Sequence, residues 1–403
     1  MRLRYITGGV TAARGFKAAG VHAGIKASKP DLALIVSEPP AVAAGTFTTN
    51  KVKAAPVRLC QERLKRSGMA GAIVVNSGSA NACTGPRGLQ DARRTAEIAA
   101  AELGVPAEAV LVCSTGTIGK PLPMDKIEKG IKLAAAKLSR AGGATAARAI
   151  MTTDTRPKEV AVEVLIDGRR VRVGGMAKGA GMISPNMATM LAFLTTDAAV
   201  ERRALQTCLQ RAVAGSFNRI TVDGDMSTND TVILLANGLA GNRLLTPGHA
   251  EWRTFQAAVE AVTLGLAFKI VKDGEGATKF VTVTVKGAKS EADARKVARA
   301  VGNSLLVKTS WYGGDPNWGR IIAAVGYSGA AVREEKIDIR FAGKLAVRGG
   351  QKAPKFALKT LEKILAKRSF SIEIDLGLGS WKHTVYTCDC SEEYVKINAA
   401  YMT

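Results

Sequence analysis

The stretch Lys178–Leu191, KGAGMISPNMATML, holds the residue types best placed for chemistry. A small GAG segment and a Pro–Asn turn lead into Ala188-Thr189, and an apolar, strand-like run follows directly. Thr189 has two readings. It is an ordinary β-branched residue at the start of a strand, or a nucleophile freed by cleavage of its own preceding peptide bond. A Thr hydroxyl is weak until a base takes its proton, and a Thr that becomes an N-terminus carries that base in its own α-amine. An unperturbed α-amine titrates near ~7.7–8, which suits general-base work at neutral pH. Acyl chemistry is therefore open to a chain with only three His.

Other routes are closed by missing motifs. There is no GxSxG nucleophile elbow, no GxGxxG and no GxxxxGK[ST]. The three His (His22, His249 and His383) lie near neither one another nor a Cys, so a zinc site is not expected. What the chain does offer is seven polar, Gly-rich stretches made of Thr, Asn and Ser. They are Thr46–Asn50, Asn76–Gly85, Ser114–Lys120, Met151–Thr155, Lys178–Leu191, Asp223–Thr231 and Gly314–Arg320. Each alone reads as a loop. Together, rich in hydroxyl and amide groups, they suggest one shared polar pocket.

The elements that must hold these loops alternate along the chain. Strand patterns occur at 32–37, 72–76, 110–114, 190–194, 232–236, 280–285, 336–341, 370–375 and 384–387. Helical spacing occurs at 88–103, 124–139, 199–214, 250–267 and 290–301. Lys158–Val173 reads as a hairpin about Asp167-Gly168. Lys352–Arg368, with Lys355, Lys359, Lys363 and Lys367 four apart, predicts one amphipathic helix with a solvated basic face. Cys388 and Cys390 are expected on one face of a strand. The fold class is α/β, with layered sheets and helices and no internal repeat.

Composition limits the partners. The chain has 403 residues with 47% hydrophobic content, enough for two or three domains. The best membrane-span candidate, 257–271, is broken by Glu260 and Lys269. A formal charge of +23 raises nucleic acid and anionic small molecules as partners. No run of five like charges occurs and aromatics are only 5%, which argues against nucleic acid. Six Cys do not form a disulfide framework here, and a reducing cytoplasm fits them. The N-terminus lacks an acid before Asp31, as transit peptides do, yet without their run of Ser it is expected to be part of the fold.

ITGGVTAARGFKAAGVHAGIK, NACTG, STGTIG, MTTDT, GGMAKGAGMISPNMATML, STNDT, DPNWGRI and the terminal INAAYMT occur in that order over essentially the whole chain. The sequence resembles the ornithine acetyltransferase family of arginine biosynthesis. Ser79 stands where that pattern has Asn, and the net charge is high for it.

The resemblance implies self-cleavage between Ala188 and Thr189, giving an α piece, 1–188, and a β piece, 189–403. The first carries 28 basic and 13 acidic residues and the second 29 and 21. It implies Thr189 as nucleophile and acetyl carrier, and Thr115 and Gly116 as an oxyanion hole. Substrate binding maps onto Thr152, Lys178, Thr189, Glu275, Asn398 and Thr403. In these roles Lys178 would hold an α-carboxylate and Glu275 an ammonium group. Without the resemblance they read as a surface Lys, a surface Glu and a frayed tail. The implied reaction moves acetyl from N²-acetyl-L-ornithine to L-glutamate by ping-pong. No metal or resident cofactor is implied, acetyl-CoA is a co-substrate if the enzyme is bifunctional, and an α₂β₂ assembly in the cytoplasm is expected. A hydrolysing amidase of the same fold and a basic nucleic-acid-binding protein are the alternatives.

Overall fold

A computed structural model describes residues 3–184 and 190–400. Its strands are β1 (Arg4–Ile6), β2 (Phe16–Val21), β3 (Leu32–Phe47), β4 (Met69–Ser79), β5 (Val110–Thr117), β6 (Lys158–Ile166), β7 (Arg169–Lys178), β8 (Leu191–Thr196) and β9 (Thr231–Ala236) in a first sheet. A second sheet holds β10 (Phe280–Ala288), β11 (Asp338–Phe341), β12 (Lys344–Arg348), β13 (Gln351–Lys352), β14 (Ser369–Asp375) and β15 (Trp381–Cys388).

The first sheet runs β1-β6-β7-β8-β9-β3-β4-β5, with β2 also on β3. β3 carries three partners because it is 16 residues long and shifts register between Val36 and Ala41. Its first part pairs with β2, its last part with β9, and β4 follows both. The Asp167-Gly168 turn joins β6 to β7 with both residues at positive φ, as the two-residue hairpin requires.

Both faces of this sheet are buried, which is why β8 and β9 read as continuous apolar runs. Val232 and Leu234 pack with the helices Arg202–Gly215 and Trp252–Lys272. Ile233 and Leu235 face the opposite core, with Phe193 and the short helix Gly143–Ala149. Helices Ala55–Arg66, Gly85–Leu103 and Met124–Ala136 cover the β3–β5 end. Trp252–Lys272 is long and apolar enough to cross a membrane, but its Phe255, Val259, Val262 and Leu266 are wholly buried against the sheet. It is a core helix.

The second sheet runs β13-β12-β11-β14-β10-β15, with β10 and β14 parallel. Helices Glu291–Asn303, Leu305–Tyr312, Trp318–Gly326 and Leu358–Leu365 supply its core. Ser290 caps the first of these through Asp293 N–H at 3.1 Å, as its Ser-then-Glu start suggests.

Two local expectations are corrected. The helix expected over Lys352–Arg368 is confined to Leu358–Leu365. Pro354 disfavours helix at the residue before it, and β13 takes Gln351–Lys352. β15 ends at Cys388, so Cys390 lies past the strand: Cys388 is buried and Cys390 half-buried.

Leu234 lies wholly buried on β9 between β8 and β3. Leu234→Ala should lower the unfolding free energy by about 2–5 kcal/mol. A shift in the urea midpoint at unchanged slope checks it.

Candidate active site

Strand ends converge to make the site. Lys178 closes β7, and in register it faces Leu191, the first residue of β8. Leu191 in turn faces Thr231 of β9. The parallel strands β4 and β5 finish beside each other at Ser77–Ser79 and Thr115–Thr117. Between these ends lies a cavity of about 250 Å³. Thr115, Gly116, Thr152, Lys178, Glu275 and Asn398 all line it. Every sequence-predicted site residue among the described residues therefore meets the others around one space. Ala188, Thr189 and Thr403 lie outside the described residues.

Lys178 is the cation of this space. It is 3% exposed, and its Nζ donates to Thr152 Oγ1 at 2.6 Å and Thr115 Oγ1 at 3.4 Å. Burial pulls its pKa below the usual lysine value. Asp154 opposes that, and the neighbouring Lys158 reinforces it.

Asp154 is the centre of the support behind Lys178. Burial alone would raise its pKa, but Lys178 and Lys158 bring it down to about 2. Its Oδ1 accepts from Gly179 N–H at 2.7 Å and from Lys158 Nζ at 2.6 Å. Lys158 donates also to Asp273 at 2.6 Å, and Asp273 accepts from the Thr155 amide and hydroxyl. This buried lysine, with a carboxylate on each side, joins the 151–155 loop to the end of the helix Trp252–Lys272.

The lining also carries acidic groups. Glu275 is 8% exposed and accepts from Asn398 Nδ2 at 2.9 Å, which ties the C-terminal helix Glu392–Ala400 to the cavity. Gly181 makes room for it, since a Cβ there would stand 2.2 Å from Glu275 Oε2. Asp223 and Asp225 add two more carboxylates to the lining. Burial raises Asp223 to about 6, although it accepts from the amides of Met182 (2.6 Å) and Ile183 (2.8 Å). Gly116 sits at φ +130°, with a hypothetical Cβ only 2.4 Å from the Gly78 carbonyl carbon, so only glycine fits against β4. Met190, which follows Thr189 in the chain, is buried and donates its amide to Asp230 at 2.9 Å. Burial holds that carboxyl well above the ordinary range.

Five of the seven polar stretches line the cavity. Thr46–Asn50 stands behind it: Thr48 Oγ1 donates to Ser227 O at 2.8 Å and Asn50 Nδ2 to Met226 O at 3.3 Å. Gly314–Arg320 belongs to the second sheet's helices, where Asn317 caps Trp318–Gly326 through Arg320 N–H at 3.1 Å. The single shared pocket expected from all seven is corrected to that extent. Sequence reasoning named the stretches Asp223–Thr231 and Met151–Thr155 but gave no role to Asp223, Asp225 or Tyr394 in the lining, nor to the Asp154–Lys158–Asp273 cluster. A weak signal existed in MTTDT and KDGEG, where Asp154 and Asp273 lie two residues from Thr152 and Glu275.

A cavity lined by a buried ammonium, three carboxylates and several hydroxyls suits a ligand carrying both a carboxylate and ammonium groups. In the comparisons, the ArgJ family profile matches residues 17–403. The arginine biosynthesis bifunctional protein ArgJ of Symbiobacterium thermophilum is 51% identical over 404 residues and all of both chains. That of Geobacter sulfurreducens is 54% identical over 97% of this chain and 99% of the relative. Among solved structures, the ArgJ crystal structure from Bacillus halodurans aligns with a TM-score of 0.50 at 42% identity, over 52% of this chain and 98% of that one. The ornithine acetyltransferase of Mycobacterium tuberculosis, solved with ornithine, is 50% identical over 46% of this chain and 98% of its own, with a TM-score of 0.44.

Asp154 has its folded pKa below the carboxylate's ordinary 3.8. Its contribution to stability is therefore complete above pH 3.8 and is lost as pH falls toward 2. Asp154→Asn should cost roughly 3–5 kcal/mol at neutral pH, since it leaves buried cations short of a partner. Urea unfolding across pH 7 to 2 checks both the loss and the flattening of the acid limb.

Proposed function

The chain belongs to the ArgJ family, and on that premise we propose how its cavity performs the acetyl transfer from N²-acetyl-L-ornithine to L-glutamate. The enzyme is an acyltransferase of arginine biosynthesis, and its products are ornithine and N-acetylglutamate. The observation that carries the mechanism is the one cavity lined by Lys178 together with Glu275, Asp223 and Asp225. The Lys178 ammonium holds the α-carboxylate common to both amino acids. Glu275, kept in place by Asn398, takes the side-chain ammonium of ornithine.

Thr189 carries the acetyl group. Cleavage after Ala188 frees its α-amine, which takes the hydroxyl proton as Oγ attacks the acetyl carbon. The Oγ–C bond forms, the amide C–N bond breaks, and the proton passes to the departing ornithine nitrogen. The neutral amine of glutamate then attacks the acetyl-enzyme: its N–C bond forms, the ester Oγ–C bond breaks, and a proton of that amine passes through the Thr189 α-amine to Oγ. Each tetrahedral intermediate bears an oxyanion, for which Thr115 and Gly116 are the donors. Lysine Nζ only donates, so Thr115 Oγ1 is the acceptor at 3.4 Å and its own O–H points elsewhere. That leaves a hydroxyl proton free to meet the oxyanion.

The half-length Bacillus halodurans chain fits a cleaved protein, because it spans 52% of this chain while 98% of its own length is matched. A piece of 215 residues from position 189 onward is a similar share of 403. An α₂β₂ assembly of the two pieces, a cytoplasmic location and the use of acetyl-CoA as a second acetyl donor complete the proposal. That these relatives are named as bifunctional proteins supports the last.

Thr189→Ala should run as one uncleaved chain with no transfer, where the parent runs as two pieces whose masses sum to the chain plus one water. An active, cleaved Thr189→Ala protein would refute the mechanism. Thr115→Ala should lower kcat by about 10²–10³ with little change in KM, since an oxyanion bond exists only in the transition state. Assaying acetate beside N-acetylglutamate separates transfer from hydrolysis, and acetate as the main product would favour the amidase reading.

A further inference from the structure

The helix Glu392–Ala400 is a partition. Tyr394 and Asn398 line the amino-acid cavity, whereas Glu393 and Ile397 line a cleft of about 790 Å³ on its other side. Two more segments divide in the same way. Glu275 lines the cavity while Asp273, Gly274 and Gly276 line the cleft, and Thr152 and Thr153 line the cavity while Thr155 and Arg156 line the cleft. The two spaces are thus one layer of chain apart, no more than a helix diameter of about 10–12 Å.

The cleft has the opposite electrostatic character to the cavity. Arg156, Lys272, Lys279 and Arg368 line it, against Asp273 and Glu393. Both acids are engaged: Asp273 holds the buried Lys158 at 2.6 Å, and Glu393 lies 4.0 Å from Lys396. Among the described residues, no carboxylate forms an ion pair with Arg156, Lys272 or Arg368, and all three are exposed. Lys272 Nζ also sits 5.3 Å from the centroid of Phe280, a ring that lines the same cleft. Unpaired cations beside an aromatic face suit a nucleotide that carries several phosphates. They do not suit an amino acid, whose ammonium they would repel.

We propose that this cleft binds the phosphorylated adenosine end of acetyl-CoA. The pantetheine arm, longer than the partition is thick, then crosses it to present the thioester in the amino-acid cavity. The inference rests on the acetyl-transfer reading above and locates its second acetyl donor. There the Thr189 Oγ–C bond forms, the thioester C–S bond breaks, and the hydroxyl proton ends on the coenzyme A thiol. N²-acetylornithine carries no phosphate and enters without using the cleft. The two donors thus share one nucleophile and differ in where their binding energy comes from.

The test is the triple variant Arg156→Gln, Lys272→Gln, Arg368→Gln, assayed with glutamate and each of three donors: acetyl-CoA, acetyl-pantetheine and N²-acetylornithine. KM for acetyl-CoA should rise about tenfold or more, while the other two stay within about twofold. Added salt should raise the parent's KM for acetyl-CoA far more than the variant's. An unchanged KM for acetyl-CoA, or an equal loss with all three donors, overturns the proposal. If the parent transfers acetyl from N²-acetylornithine but calorimetry with coenzyme A shows no binding, the cleft proposal alone falls. If neither donor yields N-acetylglutamate, the acetyl-transfer reading falls with it.

Discussion

An ammonium group taken out of water sets the terms for this site. Lys158 is 1% exposed. A buried charge costs several kcal/mol per ion unless partners compensate it. Its two partners, Asp154 and Asp273, come from a loop and a helix end 119 residues apart in sequence. Each carboxylate then fixes something more. Asp154 anchors the Gly179 amide at the end of β7, and Asp273 holds the Thr155 amide and hydroxyl. Lys178 and Glu275, both in the cavity lining, each lie within two residues of something this cluster fixes. Satisfying one buried lysine thus also anchors the chain beside both.

That arrangement also keeps opposite charges from collapsing onto each other. Lys178 is held by two threonine hydroxyls, and Glu275 by the amide of Asn398. Neither is directly ion-paired with the other, so each retains its charge for a ligand. Neutral partners position a charged side chain without neutralising it, whereas a salt bridge across the cavity would have to be broken at each binding event.

Much of the fold was legible because its signals are local. The Asp167-Gly168 turn, the Ser290 cap and the apolar runs of β8 and β9 each follow from a few neighbouring residues. The polar loops were legible as a class, but which of them meet was not. Asn317 and Asn398 offer the same amide chemistry, yet one caps a helix and the other holds Glu275. Only the tertiary placement of their helices, one on the second sheet's core and one at the cavity, decides between them. Lys158 was hidden for a related reason. Next to Arg156 and Glu159 it looks like part of a solvated strand start, and nothing in its neighbours says that a helix end more than a hundred residues away will cover it.

The order of the first sheet carries a consequence for the life of the molecule. β8 and β9 follow position 189, yet they lie between β7 on one side and β3 on the other, both of which precede it. Once the chain is cut there, as proposed, the two polypeptides share a single ladder of hydrogen bonds. The later piece is a wedge held on both sides by the earlier one. Before the cut the sheet assembles within one chain. Afterwards, an unfolded molecule could rebuild it only by a bimolecular encounter of two fragments, each exposing bare strand edges. Maturation would thus turn a reversible fold into one that persists by kinetics.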